Sequence, residues 1–120
     1  MDIRRGQVWW WNCPEHNRAH IEQGVRPVVI VSNDICNSAS SVVTVVPLTT
    51  SAKRPYPQQA PVVVNGNLSV AIADQITSVP ISELDRPVCI LADFQMEQVE
   101  RAMLVQLGFV PLPERKYEGD

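Results

Sequence analysis

The stretch Pro27-Val28-Val29-Ile30-Val31 narrows most sharply what this chain can become. Four consecutive β-branched residues follow the proline without a polar interruption, a composition suited to a strand covered on both faces. The sequence therefore predicts a strand inside a sheet, with apolar layers on either side. Arg26 stands directly before the proline and carries a permanent charge that resists burial without a partner. A residue preceding proline is held in an extended backbone, which keeps Arg26 at the mouth of the strand. An anionic group is expected nearby.

The flanking sequence supplies the remaining elements. Gln7 to Trp11 reads as an aromatic strand opened by Gly6 and closed by Asn12-Cys13-Pro14. Residues 12 to 24, polar and holding both histidines, form a predicted long loop. Ser32-Asn33-Asp34 reads as a turn, Val42 to Leu48 as a third strand, and Thr49 to Gln59 as a second long loop. Loops of this length in compact domains tend to be functional. Pro61 to Val64 and Ser69 to Ile76 flank Asn65-Gly66-Asn67, a strong hairpin signal. Ile81 to Leu84 suggests one helical turn and Val88 to Leu91 a last strand. From Asp93, taken as an N-cap, Met96, Val99, Met103 and Leu107 recur at helical spacing until Gly108. The predicted fold class is mainly β with a C-terminal α-helix: a small, curved antiparallel sheet of SH3-like, partly closed barrel type.

With 120 residues and 45% hydrophobic content, one domain over residues 1–110 is expected, followed by a polar tail over 111–120. The formal net charge of −3 argues against a general nucleic-acid coat protein. The halves differ: residues 1–60 hold six basic against four acidic side chains, and residues 61–120 four against nine. An anionic ligand is drawn to the first half. Three cysteines without paired spacing, and an N-terminus with no apolar leader, point to a reducing cytoplasm. No segment approaches the roughly 18 apolar residues of a membrane span, so a soluble protein is expected.

Antiparallel pairing of the second and third strands would bring Arg26 and Thr49 to the same end of the sheet, with both long loops on that rim. Arg26, the hydroxyls of Thr49, Thr50 and Ser51, and the pair Lys53-Arg54 offer the bidentate donors and positive field that a phosphate requires. The plainer alternative is an ion pair of Arg26 with Glu22 or Asp74. Cys13, His16 and His20 could be mistaken for half a zinc site, but structural zinc takes four ligands and no fourth is evident. Trp9, Trp10 and Trp11 alternate faces, so at least one ring points away from whichever side is core.

Four ordered landmarks carry a resemblance: Gly6-Gln7-Val8-Trp9-Trp10-Trp11, Glu22-Gln23-Gly24-Val25-Arg26-Pro27-Val28-Val29-Ile30-Val31, Val46-Pro47-Leu48-Thr49-Thr50-Ser51 and Val70-Ala71-Ile72-Ala73-Asp74-Gln75-Ile76. Together, from Gly6 to about Gly108, they resemble the MazF/PemK (Kid) toxin endoribonucleases of type II toxin–antitoxin systems. The resemblance implies a homodimer that cleaves single-stranded RNA without metal or other cofactor. The products would be a 2′,3′-cyclic phosphate and a 5′-hydroxyl, and a MazE-like antitoxin would silence the enzyme. It also implies catalytic roles for Arg26, on the transition-state charge and the leaving 5′-oxygen, and for Thr49 as a phosphate ligand.

Three residues remain open as general base. His20 has the offset from Arg26 of a histidine in the PemK branch, and its pKa class suits proton removal near neutrality. Glu22 is one step nearer the arginine than the usual MazF glutamate, whose position is Ile21. Asp74 aligns with the PemK-branch carboxylate, but that branch's arginine two positions earlier is Ile72 here. Asp74 and Gln75 could instead orient Arg26 or bind a base edge. Two other classes stay in view. One is a non-enzymatic gyrase poison resembling CcdB, whose Trp-Gly-aliphatic tail is Tyr117-Glu118-Gly119-Asp120 here. The other is a small barrel that only binds RNA or protein.

Overall fold

The computed structural model describes residues 2–14, 24–50 and 56–112. Seven strands form one antiparallel sheet: β1 (Gln7–Cys13), β2 (Gly24–Ile30), β3 (Val42–Thr49), β4 (Gln59–Val64), β5 (Asn67–Ile72), β6 (Thr77–Pro80) and β7 (Leu84–Ile90). Helix α1 (Asp34–Ala39) sits between β2 and β3, and α2 (Asp93–Gln106) follows β7. The strand order is β4-β5-β3-β2-β1-β7. β3 is the hub, because one edge pairs with β2 while the other pairs first with β6, through Val42 to Val45, and then with β5, through Leu48 and Thr49.

The β-branched run behaves as its composition requires. Val28, Val29 and Ile30 are wholly buried, and their alternation feeds two apolar layers. Val28 and Ile30 join Trp9, Trp11, Val43, Val45 and Val79 on one face. Val29 and Val31 join Val8, Val46, Leu48, Val62 and the inner side of α2, namely Met96, Val99 and Ala102, on the other. Proline in an inner strand normally forfeits a ladder bond. Pro27 escapes this because the β2–β3 ladder starts only at Val28 opposite Pro47. Pro47 in turn lies where the far edge of β3 passes from β6 to β5.

The ends of the sheet approach each other. Burial pushes the Cys89 thiol of β7 upward in pKa, partly offset by the backbone N–H of Asn65 at the tip of the β4–β5 hairpin. Strands from opposite ends of the order thus meet without a ladder, as a partly closed barrel demands. That hairpin turns through Asn65 (φ 49°) and Gly66 (φ 85°), both left-handed, which matches the twist of the flanking strands.

Several boundaries differ from expectation for identifiable reasons. Ser32-Asn33-Asp34 is not an isolated turn, since the Asn33 side chain accepts from Cys36 N–H at 2.8 Å and caps α1. The predicted strand over Ser69 to Ile76 ends at Ile72. Ala73–Gln75 form a tight 3₁₀ turn, and the chain re-enters as β6 on β3. The last strand begins at Leu84 rather than Val88 and tolerates Pro87 because β7 pairs only with β1. Asp93 lies in the first turn of α2 while Ala92 holds the cap position. The C-terminal end of α2 is as read, with Gly108 left-handed at φ 86°. Of the polar tail, residues 113–120 lie outside the described ones. Among the described residues no helix is long and apolar enough to cross a membrane.

Arg5 ties the N-terminus to both helices. Its guanidinium donates to Glu100 Oε2 at 2.6 Å and to the Val31 carbonyl at 2.9 Å, and its backbone N–H donates to Asp34 Oδ1 at 2.7 Å. That last bond lowers the Asp34 pKa; desolvation opposes it, and Asn37 and the charges of Arg4 and Arg5 add to the lowering. A carboxyl whose folded pKa lies below its unfolded value stabilises the fold above the unfolded value and loses that effect as pH falls through the folded one. Asp34→Asn should therefore lower the urea midpoint at pH 7, and the gap to the parent should close as pH drops below the ordinary aspartate range. Parallel pH profiles of the two midpoints would contradict this account.

Candidate active site

Arg26 and Thr49 share one face and one end of the sheet. Val28 stands opposite Pro47, and each of the two residues lies one pleat beyond that pair on its own strand. Side chains repeat every second residue, so Arg26 and Thr49 join the face of Val28, and neighbouring strands are about 4.8 Å apart. On its other side Arg26 is level with Trp11 of β1. Trp11 is buried and donates its indole N–H to Glu83 Oε1 at 2.9 Å, giving the arginine a fixed wall.

Ion pairs among the described residues join Arg4 to Asp2, Arg5 to Glu100 and Arg86 to Asp85, and none includes Arg26. The alternative pairing of Arg26 with Asp74 is absent among them. The guanidinium is partly buried and makes no ion pair with a described carboxylate.

Asp74 and Gln75 lie across β3. Both are exposed on the turn that leads from β5 to β6, on the edge of β3 opposite β2. The Asp74 carboxylate accepts from Gln59 Nε2 at 3.4 Å. Thr50 is exposed just beyond β3. The other predicted site residues, His20, Glu22, Ser51, Lys53 and Arg54, fall outside the described residues, as do two of the three supposed zinc ligands, His16 and His20. Cys13, the third, is buried in the tryptophan layer.

One feature escaped the sequence reading. Residues 56–59 dock on the Ala73–Gln75 turn through an Ala73 N–H bond to the Gln58 carbonyl at 3.1 Å, so the end of a presumed loop packs against the turn that follows β5. A glutamine opening a strand was the available signal. Of the three tryptophans, Trp9 and Trp11 are core, whereas Trp10 lies on the other face, with the Arg86 guanidinium carbon 5.8 Å from its ring centre.

The family of PemK-like, MazF-like toxins of type II toxin–antitoxin systems matches residues 4–107, and the chain belongs to it. A curated relative, endoribonuclease MazF9 of Mycobacterium tuberculosis, is 31% identical over 114 residues, 88% of this chain and 96% of its own length. A probable endoribonuclease MazF of Mycolicibacterium smegmatis is 38% identical over 88 residues, 69% of this chain and 80% of its own. Among solved structures, a mycobacterial endoribonuclease in complex with its cognate antitoxin superposes with a TM-score of 0.75 at 26% identity, covering 92% of this chain and 99% of that one. MazF from Deinococcus radiodurans shares the fold at a TM-score of 0.74 and 21% identity, over 90% of this chain and 98% of that one.

Proposed function

We propose that this toxin, an endoribonuclease by family, is a sequence-selective, metal-independent enzyme that cuts single-stranded RNA, chiefly messages. It acts in the cytoplasm as a homodimer, and a MazE-like antitoxin silences it by occupying the active site. The observation that supports the reading is the antiparallel register of β2 and β3, which carries Arg26 and Thr49 toward one face and one end of the sheet by strand alternation, with no described carboxylate paired to the arginine.

The chemistry follows from that pairing. The ribose 2′-oxygen attacks the adjacent phosphorus in line, the bond from phosphorus to the 5′-oxygen breaks, and a 2′,3′-cyclic phosphate and a 5′-hydroxyl result. Charge gathers on the non-bridging oxygens, where the Arg26 fork and the Thr49 hydroxyl or backbone N–H stabilise it. The base that takes the 2′-proton is His20, Glu22 or Asp74. The leaving 5′-oxygen is protonated from Arg26, the role that the family's arginine holds. Thr50, Ser51, Lys53, Arg54 and Gln75 hold the RNA strand. The matched family favours this reading over a gyrase poison or a barrel that only binds.

Arg26→Ala should cost about 10²- to 10³-fold or more in cleavage rate while leaving the chain folded, because one transition-state donor is lost. A folded variant cutting RNA at the parent rate would overturn the assignment.

Cleavage should persist in excess EDTA and stop when a 2′-deoxynucleotide stands immediately 5′ of the scissile phosphate. Loss of activity with chelator, or cutting at the deoxy position, would show another mechanism.

Lys53→Glu combined with Arg54→Glu should weaken RNA cleavage and antitoxin affinity together, and should flatten the salt dependence of RNA binding. Unchanged antitoxin affinity with collapsed RNA binding would mean that the two partners use different surfaces.

A further inference from the structure

Trp11 is buried, yet its indole carries an N–H that must find an acceptor. The acceptor comes from a distant part of the chain. Ile81–Glu83 form a single 3₁₀ turn between β6 and β7, and Glu83 Oε1 accepts the indole N–H at 2.9 Å. An indole has one N–H and no accepting atom, so this bond is the one polar anchor its ring can have. The turn that offers the carboxylate is itself held. Its Ile81 N–H donates to the Ser41 carbonyl at 2.9 Å, and Ile81 and Leu84, on either side of Ser82 and Glu83, pack against the tryptophan layer.

The registers set this anchor relative to Arg26. Trp11 is opposite Leu84 on one edge of β1 and opposite Arg26 on the other. Opposite residues of an antiparallel pair point to the same face, with Cβ atoms about 4.5 to 5.5 Å apart. Trp11 belongs to the layer of Val28 and Ile30, and alternation along β2 carries Arg26 to that face. An arginine lays its methylene stem along apolar surface and keeps its charged head toward water. On the β1 side the indole is that surface, so a row runs from Glu83 through Trp11 to Arg26.

We propose that Glu83 and Trp11 are positioning residues for Arg26 in the cleavage of RNA. The carboxylate fixes the tilt of the indole, and the indole limits where the arginine stem, and with it the guanidinium, can lie. The proposal rests on the RNA-cleaving reading above and adds two residues to it. A donor helps the transition state only from the place where charge develops, and a misplacement of about 1 Å can cost on the order of 10²-fold in rate. Glu83 therefore acts on the rate through two other side chains. Removing its oxygen leaves a buried N–H without an acceptor, and the ring turns to find one.

The test is a double-mutant cycle on full-length chains, read in single-turnover cleavage of an oligoribonucleotide that spans a cut site mapped by sequencing the 5′-hydroxyl ends. Circular dichroism checks that each chain is folded. Glu83→Leu should slow cleavage about 10- to 100-fold. Its affinity for the same oligonucleotide with a 2′-deoxy block at the cut, followed by fluorescence anisotropy, should stay at the parent value. Glu83→Gln keeps an accepting oxygen and should restore most of the rate. In the Arg26→Ala background Glu83→Leu should cost nothing further, because the group it positions is gone, whereas a general loss of structure would lower the residual rate by the same factor again. Should Glu83→Leu fail to fold, Trp11→Phe removes the same bond from the donor side and leaves a ring in the core. Parent-rate cutting by folded Glu83→Leu or Trp11→Phe, equal losses in Glu83→Gln and Glu83→Leu, or an undiminished loss on top of Arg26→Ala would each overturn the positioning role. Where Arg26→Ala is itself crippled, those outcomes remove this inference alone. An Arg26→Ala chain that cuts at the parent rate brings down the active-site assignment instead.

Discussion

Everything in this molecule hangs on β3 being shared. A single strand of eight residues, Val42–Thr49, offers one edge to β2 and divides the other between β6 and β5. Sharing an edge between two strands that diverge forces the sheet to curl, since both cannot continue flat beside the same neighbour. The curl brings the β4–β5 hairpin to β7 and leaves room for α2 against the layer built on Val29 and Val46. It also leaves the ends of β2 and β3 open at one rim, where Arg26 and Thr49 emerge.

Much of this was legible in the chain. The β-branched run after Pro27 announced an inner strand, Asn65-Gly66 announced a hairpin, and the spacing of Met96, Val99 and Met103 announced a helix ended by glycine. These signals are local, fixed by side-chain shape and backbone preference, and so survive without tertiary information. The antiparallel pairing of the second and third strands was legible as well. What stayed hidden depends on contacts distant in sequence. The apolar run from Ser69 to Ile76 breaks at Ala73 only because β3 has an edge to fill on the other side of the break. The cap on α1 was mistaken for a turn because asparagine favours both, and only the following residues decide. The docking of residues 56–59 on the Ala73–Gln75 turn joins segments with the β4–β5 hairpin between them, beyond any local pattern.

The arginines illustrate how context divides one residue type into different tasks. Arg5 is consumed by Glu100 and the Val31 carbonyl and serves as a strut. Arg86 lies flat over Trp10 and pairs with its neighbour Asp85. Arg26 has neither among the described residues. Its position before a proline in an inner strand confines its backbone, while the buried Trp11 alongside confines its surroundings. A charge so confined needs little rearrangement to meet the anion that the proposed chemistry brings.

The incomplete seam between β4 and β7 has a cost of its own. An unclosed barrel keeps two outer strands, and each bare row of amides and carbonyls is a template on which another chain could add a strand. Both rows are interrupted here. On β4 the amide of Val63 is taken by the side-chain oxygen of Gln95 from α2, and Pro61 has no amide to offer. On β7 the succession Asp85-Arg86-Pro87 sets two charges and a missing donor in the middle of the edge. A chain made in quantity inside a crowded cell can thus keep its barrel open without growing into an intermolecular sheet.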